Sequence, residues 1–364
     1  MTFKLILENL RYRPLRTLLS VLLIAIPVTL ILTLVGLSQG MLEESAKRSR
    51  GVGADILIRP PNTSLLSFSA ASMPENLVKW GQQQPHVTLA VGTAIAVVSG
   101  ITSVSGVDLD AFSKMSGGFR FIEGGPFKGP DDILIDEYYA KQKKVHAGDY
   151  IVALNKKWRV AGIFESGKLS HIVLPLAVVQ YLQGNHGKVS QIYLKLDDPA
   201  NTDAVIASLN KLLPGYQILS MQDLLTQISV ENIPGLSTFI NVMVGIAIVI
   251  AFAVVCLSMY MAVLQRTREI GILKSLGASR GYVLELIVAE AFVMGLSGTV
   301  AGILLSFVAR WVILTLVPAS LQQAIAYDWW PKAGLIALFA SLLGALYPGF
   351  RAARQDPIEA LAYE

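Results

Sequence analysis

Hydrophobic positions along the chain gather into four long runs separated by mixed or polar sequence. Residues 17–39, 236–264, 286–309 and 333–350 hold a single charged side chain among them, Glu290. About 20 apolar residues in a helix cross a bilayer core, so each run is predicted to span. The run at 236–264 exceeds that need and is predicted to tilt or to project beyond the hydrocarbon. Pro27 falls inside the first run, where a bundle tolerates it if neighbours re-satisfy the freed carbonyl. A cleaved signal peptide is disfavoured, because the run is longer than an ordinary signal core and no small-residue cleavage site clearly follows it.

Between the first and second runs the pattern changes to short alternating segments and turns. Asp55–Arg59 alternates as a strand, 60–76 is rich in turn formers, and Val87–Ile101 holds β-branched runs broken by Gly92 and Gly100. Residues 133–135, 150–154, 158–164 and 172–174 read as strands, and 136–144 as one or two helical turns. Gln191–Leu196 alternates; Thr202–Leu213 sets Val205, Ile206, Leu209 and Leu212 on one side before Pro214-Gly215 stops it. Strand, helix, strand over 191–196, 202–213 and 216–220 predicts a sheet with helices on one face. Helical continuations at 38–50 and 221–234 would form a stalk. The expected fold is a membrane α-helical protein with four transmembrane helices and an α+β extracytoplasmic domain, residues 40–235, inserted between the first and second spans.

Composition agrees with the pattern: 53% hydrophobic and 15% charged is too apolar for an ordinary soluble protein. The formal charge of +4 is dispersed, with no zinc-finger spacing or arginine patch, so no nucleic-acid partner is expected. Cys256 is the only cysteine and lies within a span, which excludes an intramolecular disulfide. The histidines at 86, 146, 171 and 186 have no metal-site spacing. Gly162 to Lys168 matches a phosphate loop through the lysine, but Leu169 stands where a hydroxyl must hold magnesium, and 170–175 does not read as the required helix. A turn between strands is expected there, and no catalytic, cofactor or metal site is assigned.

Short segments orient the spans. Residues 1–16, read as an interfacial helix turning inward at Pro14, carry Lys4, Arg11, Arg13 and Arg16. The 265–285 loop carries Arg266, Arg268, Lys274 and Arg280, and the 351–364 tail carries Arg351 and Arg354. The 310–332 loop has Arg310 and Lys332 only at its edges and an aromatic belt of Trp329 and Trp330. The positive-inside bias therefore puts both termini and the 265–285 loop in the cytoplasm and the large domain outside, at the inner (cytoplasmic) membrane. Gly298 and Gly302, and Ala340 and Gly344, form small-residue pairs at four-residue spacing that permit close helix packing. Glu290 either snorkels to headgroups or meets a basic residue of the 266–280 segment.

That segment, RTREIGILKSLGASRGY at 266–282, has Ile270, Leu273 and Leu276 roughly on one side, with Arg266, Arg268, Glu269 and Lys274 supplying charge. It fits a surface or partner-docking helix, or a plain topogenic loop. The segment resembles the signature region of the FtsX-like permease family, which includes MacB-type exporters and lipoprotein-releasing permeases, and YPGFRAARQDPIEALAYE at 347–364 resembles that family's closing motif. Arg268, Glu269, Ile270, Gly271, Leu273, Lys274, Leu276, Gly277 and Ala278 match the motif. The resemblance implies that this helix couples to an ABC ATPase, with Ile270, Leu273 and Leu276 entering a groove on it. It further implies a separate ATPase subunit in two copies that binds ATP and Mg, and a second permease copy or close relative. A periplasmic adaptor and outer-membrane channel are optional partners on the same analogy. It implies an export or extraction permease that is not itself an enzyme; regulation of a cell-wall hydrolase by mechanotransmission, or a sensor or scaffold role, are the alternatives. In such proteins a compact α+β part, here 55–59 and 191–220, carries a variable β-rich insert, here roughly 80–180.

Overall fold

The computed structural model describes residues 14–61, 63, 71–99, 102–228, 235–317 and 321–355. The predicted interfacial helix over most of 1–16, residues 62 and 64–70 of the 60–76 loop, the end of the 221–234 stalk and most of the 351–364 tail lie outside the described residues. The chain divides into two compact units. A domain unit comprises Gly40–Ile233 with Leu314–Gln322, and a span unit comprises the chain to Gln39, Pro234–Ile313 and the chain from Gln323.

Helix α1 (Pro14–Gly51) is unbroken, so the first span and the predicted stalk at 38–50 are one element. The domain then runs through β1 (Ile56–Arg59), β2 (Met73–Pro74), α2 (Asn76–Gln82), β3 (Val87–Ser99), β4 (Thr102–Val107), α3 (Leu109–Ser116), β5 (Phe121–Gly124) and β6 (Asp132–Asp136). It continues through α4 (Glu137–Lys143), β7 (Tyr150–Ala153), β8 (Lys156–Phe164), β9 (Ile172–Pro175), α5 (Leu176–Leu182) and β10 (Lys188–Val189). It ends with β11 (Gln191–Leu196), α6 (Thr202–Leu212), β12 (Gln217–Ser220) and α7 (Met221–Gln227). The main sheet has the order β12-β1-β11-β3-β4-β9-β6-β8-β5, with β7 also on β8.

Two expectations change here. Helices cover both faces of the sheet rather than one. Strand β1 is buried at every position, and because side chains alternate across a strand each face needs its own cover. Ile56 and Ile58 pack with Val205 and Leu209 of α6 and with Leu77 and Val78 of α2. Leu57 packs with Phe112 and Met115 of α3 and with Met221 and Leu224 of α7. Secondly, Gly92 does not break the 87–101 segment. Strand β3 passes through it, pairing with β11 over Val87–Thr93 and with β4 over Thr93–Ser99, so the compact part and the insert share one sheet. Gly92 is there for room, since a Cβ would come within 2.8 Å of Val78 and 2.9 Å of Val189.

The phosphate-loop lookalike is a connection between strands. β8 ends at Phe164, β9 begins at Ile172, and no helix lies between them. The Lys168 ammonium donates to the main-chain carbonyls of Ser116 (2.7 Å) and Gly118, so it closes a loop within the domain.

In the span unit follow α8 (Leu236–Gln265), α9 (Thr267–Ser275), α10 (Arg280–Leu316) and α11 (Trp329–Arg354). With α1, three of these make four helices among the described residues that are long and apolar enough to cross a membrane; the protein is a multi-pass membrane protein with its α+β domain between the first and second spans. Helix α10 outruns its apolar run at both ends, which shortens the 310–332 loop.

The small residues set how the spans meet. A Cβ on Gly298 would lie 2.6 Å from Ile24, and one on Gly302 would lie 2.6 Å from Val28, so both glycines pack α10 against α1 of the same chain. Thr29 Oγ1 donates to the Gly302 carbonyl (3.0 Å) across that contact. Gly344 packs against main-chain atoms of Phe252 and Cys256 in α8, and Gly295 of α10 against Ser341 of α11. Ala340 is fully buried beside them. A hydroxyl pair, Ser20 and Ser258 at 2.6 Å, joins α1 to α8.

Candidate functional site

The 266–278 stretch forms a short helix, α9, set off from its neighbours by almost no linker. Arg266 is at once the residue after α8 and the residue before α9 (φ −115°, ψ 18°). At the other end Gly277 adopts φ +96°. The Ala278 N–H donates to the Leu273 carbonyl (3.0 Å) and the Gly277 N–H to the Lys274 carbonyl (3.1 Å). These are the paired bonds of a Schellman C-cap, which wants a glycine at the left-handed position. Gly277 therefore ends the element, and α10 starts three residues later at Arg280.

The face that α9 shows differs from the one its apolar residues suggested. Thr267, Ile270 and Gly271 are buried within the span unit, and Leu273 and Lys274 are half-buried. Arg268, Glu269, Ile272, Ser275, Leu276 and Gly277 are exposed, Leu276 at 81%, while Ala278 is half-buried. Ile270, placed by the sequence reading in a partner's groove, is instead packed inside its own protein, and Ile272 replaces it on the open face. The reason is angular. At 100° per residue, Leu276 lies about 120° from Ile270 and Ile272 about 160°, so one set cannot share a face. Leu273, between them, sits at the boundary.

Lys274, one of the charges of the segment, is likewise turned to its own protein. Its ammonium donates to the Ala353 carbonyl (3.0 Å) and to the Gln355 carbonyl, at the C-terminal end of α11, where unpaired carbonyls need donors. Glu290 meets the 266–280 segment. Arg266 Nη1 and Nη2 donate to its Oε2 (3.1 Å) and Oε1 (3.3 Å), with both side chains largely enclosed. On α11 nearby, Arg351 donates to the Tyr260 hydroxyl of α8 (3.0 Å). Of the two readings of Glu290, snorkelling or contact with a basic residue of 266–280, the structure has the second, and the residue is Arg266, 24 positions away.

No group of three or more metal-ligating side chains occurs among the described residues. On α9, Ile272 and Leu276 are exposed apolar side chains, with Arg268 and Glu269 also exposed, while Thr267, Ile270 and Gly271 are buried.

Comparisons with known proteins bear on both units. The model for the MacB-like periplasmic core domain matches residues 17–212, and the model for the FtsX-like permease C-terminal region matches 241–357. The macrolide export ATP-binding/permease protein MacB of Escherichia coli is 25% identical over 399 residues, covering 100% of this chain and 60% of its own length. The lipoprotein-releasing system transmembrane protein LolE of Haemophilus influenzae is 24% identical, covering 86% of this chain and 88% of its own. The crystal structure of the periplasmic region of MacB from Actinobacillus actinomycetemcomitans aligns over 49% of this chain and 94% of that one, with 14% identity and a TM-score of 0.38. The chain spans about 60% of the length of its E. coli MacB relative. With one family model covering over half the chain and the other most of the remainder, the chain belongs to the FtsX-like permease family and carries a MacB-like periplasmic core domain.

Proposed function

We propose that the chain is the permease subunit of an ABC-type exporter or extraction machine, in which α9 docks a separate cytoplasmic ABC ATPase and conveys its movement to the spans. The observation that carries this reading is the geometry of α9. It presents Arg268, Glu269, Ile272 and Leu276 outward while its opposite face is packed and tethered. A topogenic loop has no need of a capped helix with an apolar outer edge. ATP and Mg are assigned to the partner, two copies of which would meet two permease chains, because an ATPase dimer offers two docking clefts and each chain offers one helix. The charge bias of the short segments supports a cytoplasmic side for α9 and both termini of an inner-membrane protein, with the domain outside. Continuity of α1 from the first span into the domain supports mechanical work on something held outside over passage of a solute through a channel. A periplasmic adaptor and outer-membrane channel fit the likeness to a macrolide exporter.

The test is co-purification yield and ATPase rate of the chain co-expressed with an ABC ATPase in nanodiscs. Ile272→Ala or Leu276→Ala removes an apolar anchor, commonly on the order of 2 kcal/mol of association, and is expected to release the ATPase with permease expression unchanged. Glu269→Ala is expected to act as strongly only if its carboxylate is desolvated against a partner arginine. Parent-like assembly and hydrolysis in all three variants would show that α9 docks nothing.

A further inference from the structure

We propose that the enclosed Arg266–Glu290 ion pair is the positioning element that locks α9 to the third span, so that a push on α9 moves α10 instead of turning α9 about its joint with α8. The inference rests on reading α9 as the docking helix, and names the residues that make docking mechanically effective.

The joint itself is short. Only Arg266 separates α8 from α9, so the direction of α9 depends on the soft torsions of that one residue. Thr267 Oγ1 donates back to the Leu264 (2.9 Å) and Val263 (3.3 Å) carbonyls of α8, through a single rotatable hydroxyl that ties the first residue of α9 at a point. The Arg266 side chain adds a constraint on angle. Two guanidinium nitrogens meet the two oxygens of one carboxylate, and this fork fixes angle as well as distance. Glu290 lies ten residues into α10, about 15 Å from its start, on a rigid helix that is itself seated against α1 through Gly298 and Gly302. Enclosure keeps the pair closed: the Glu290 side chain is 5% exposed and the Arg266 side chain 16%, and separating them leaves a charge without a counterpart in a poorly solvated place. Nearby Arg351 is engaged with Tyr260, and Arg268 and Arg280 are exposed.

The far end of α9 is held differently. Lys274 reaches main-chain carbonyls at the end of α11 through a rotatable ammonium, a point attachment without angular preference. One end of α9 is therefore fixed in angle on the third span, the other only in position on the fourth.

The test uses the full chain in nanodiscs, with Cys256→Ser and spin labels on exposed positions Ser275→Cys of α9 and Tyr347→Cys of α11. The parent is expected to give a narrow distance distribution and Glu290→Gln a broader one, while exchange of the charges, Arg266→Glu with Glu290→Arg, restores the narrow one. A narrow distribution in Glu290→Gln overturns the proposal whether or not an ATPase docks. With the co-expressed ABC ATPase, Glu290→Gln is expected to lower permease-dependent ATPase stimulation about tenfold at equal co-purified yield, and the exchange to recover most of it. Full stimulation in Glu290→Gln, or none in a well-expressed exchange variant, overturns it as well. Should Glu290→Gln express poorly, Arg266→Lys keeps the charge but not the fork; a broadened distribution supports the proposal and a parent-like one counts against it. Failure of the docking reading would show elsewhere, as indifference to Ile272→Ala and Leu276→Ala.

Discussion

Adding one methyl at Gly302 tests whether the spans are held by close approach. An ideal Cβ there lies 2.6 Å from Val28 Cβ, 2.7 Å from Val28 Cγ1 and 2.9 Å from the Ala25 carbonyl oxygen, whereas carbon atoms rest about 3.5–4.0 Å apart. The shortfall is roughly 1 Å, and neither neighbour yields easily. Val28 is β-branched and has essentially one rotamer in a helix, and the Ala25 oxygen is backbone. Gly302→Ala must therefore strain the contact, at about 1–3 kcal/mol for overpacking, or part α10 from α1. Parting also lengthens the hydrogen bond from Thr29 to the Gly302 carbonyl, and interhelical bonds of this kind average about 0.6 kcal/mol in membranes. A loss of about 2 kcal/mol is expected. Gly245 is the control: it lies within α8, and a Cβ there meets nothing within 4 Å. Gly245→Ala should be neutral or stabilising by up to about 1 kcal/mol, as alanine is the better helix former. Reversible SDS unfolding in mixed micelles, followed by tryptophan fluorescence, measures both. A parent-like midpoint for Gly302→Ala would refute the close-packing account. Equal destabilisation of the two variants would refute it too, since backbone freedom rather than contact would then be the cause.

Two further expectations concern the domain and its side of the membrane. Burial pushes the Tyr193 phenol up to about 12, opposed in part by the nearby Arg59 charge. A raised pKa of this kind gives stability that is complete below about pH 10, where the unfolded phenol is still protonated, and is lost as pH rises toward 12, by up to about 3 kcal/mol. Tyr193→Phe should flatten that alkaline decline in the full chain; an unchanged slope would assign it to other groups. In a Cys256→Ser background, a cysteine at Arg120 should react with an impermeant maleimide on intact cells and one at Ile272 only after permeabilisation, whereas labelling of both from one side contradicts the orientation.

The spans and the short helix at 267–275 were legible in the amino-acid sequence because each is decided locally. A membrane helix satisfies its own backbone hydrogen bonds, so an uncharged run of sufficient length is enough to declare it, as at 236–264. Gly277 announces its C-cap because few other residues tolerate φ +96°. What a side chain faces is another matter, since that depends on elements distant in sequence. Ile270, Ile272, Leu273 and Leu276 ring α9 too widely for periodicity to choose a side; the choice is made by what packs behind the helix, which leaves Ile270 enclosed and Ile272 open. Gly92 reads as a breaker until Val78 and Val189 are found above it. Strand β1 gives no sign in its four residues that both of its faces are covered, because α2, α3, α6 and α7 come from far along the chain. Glu290 left two readings open, and only the tertiary fold brings Arg266, at the end of α8, to it across 24 residues. Hydrophobic length determined which segments enter the membrane, and long-range packing decided which surface of each segment is left exposed.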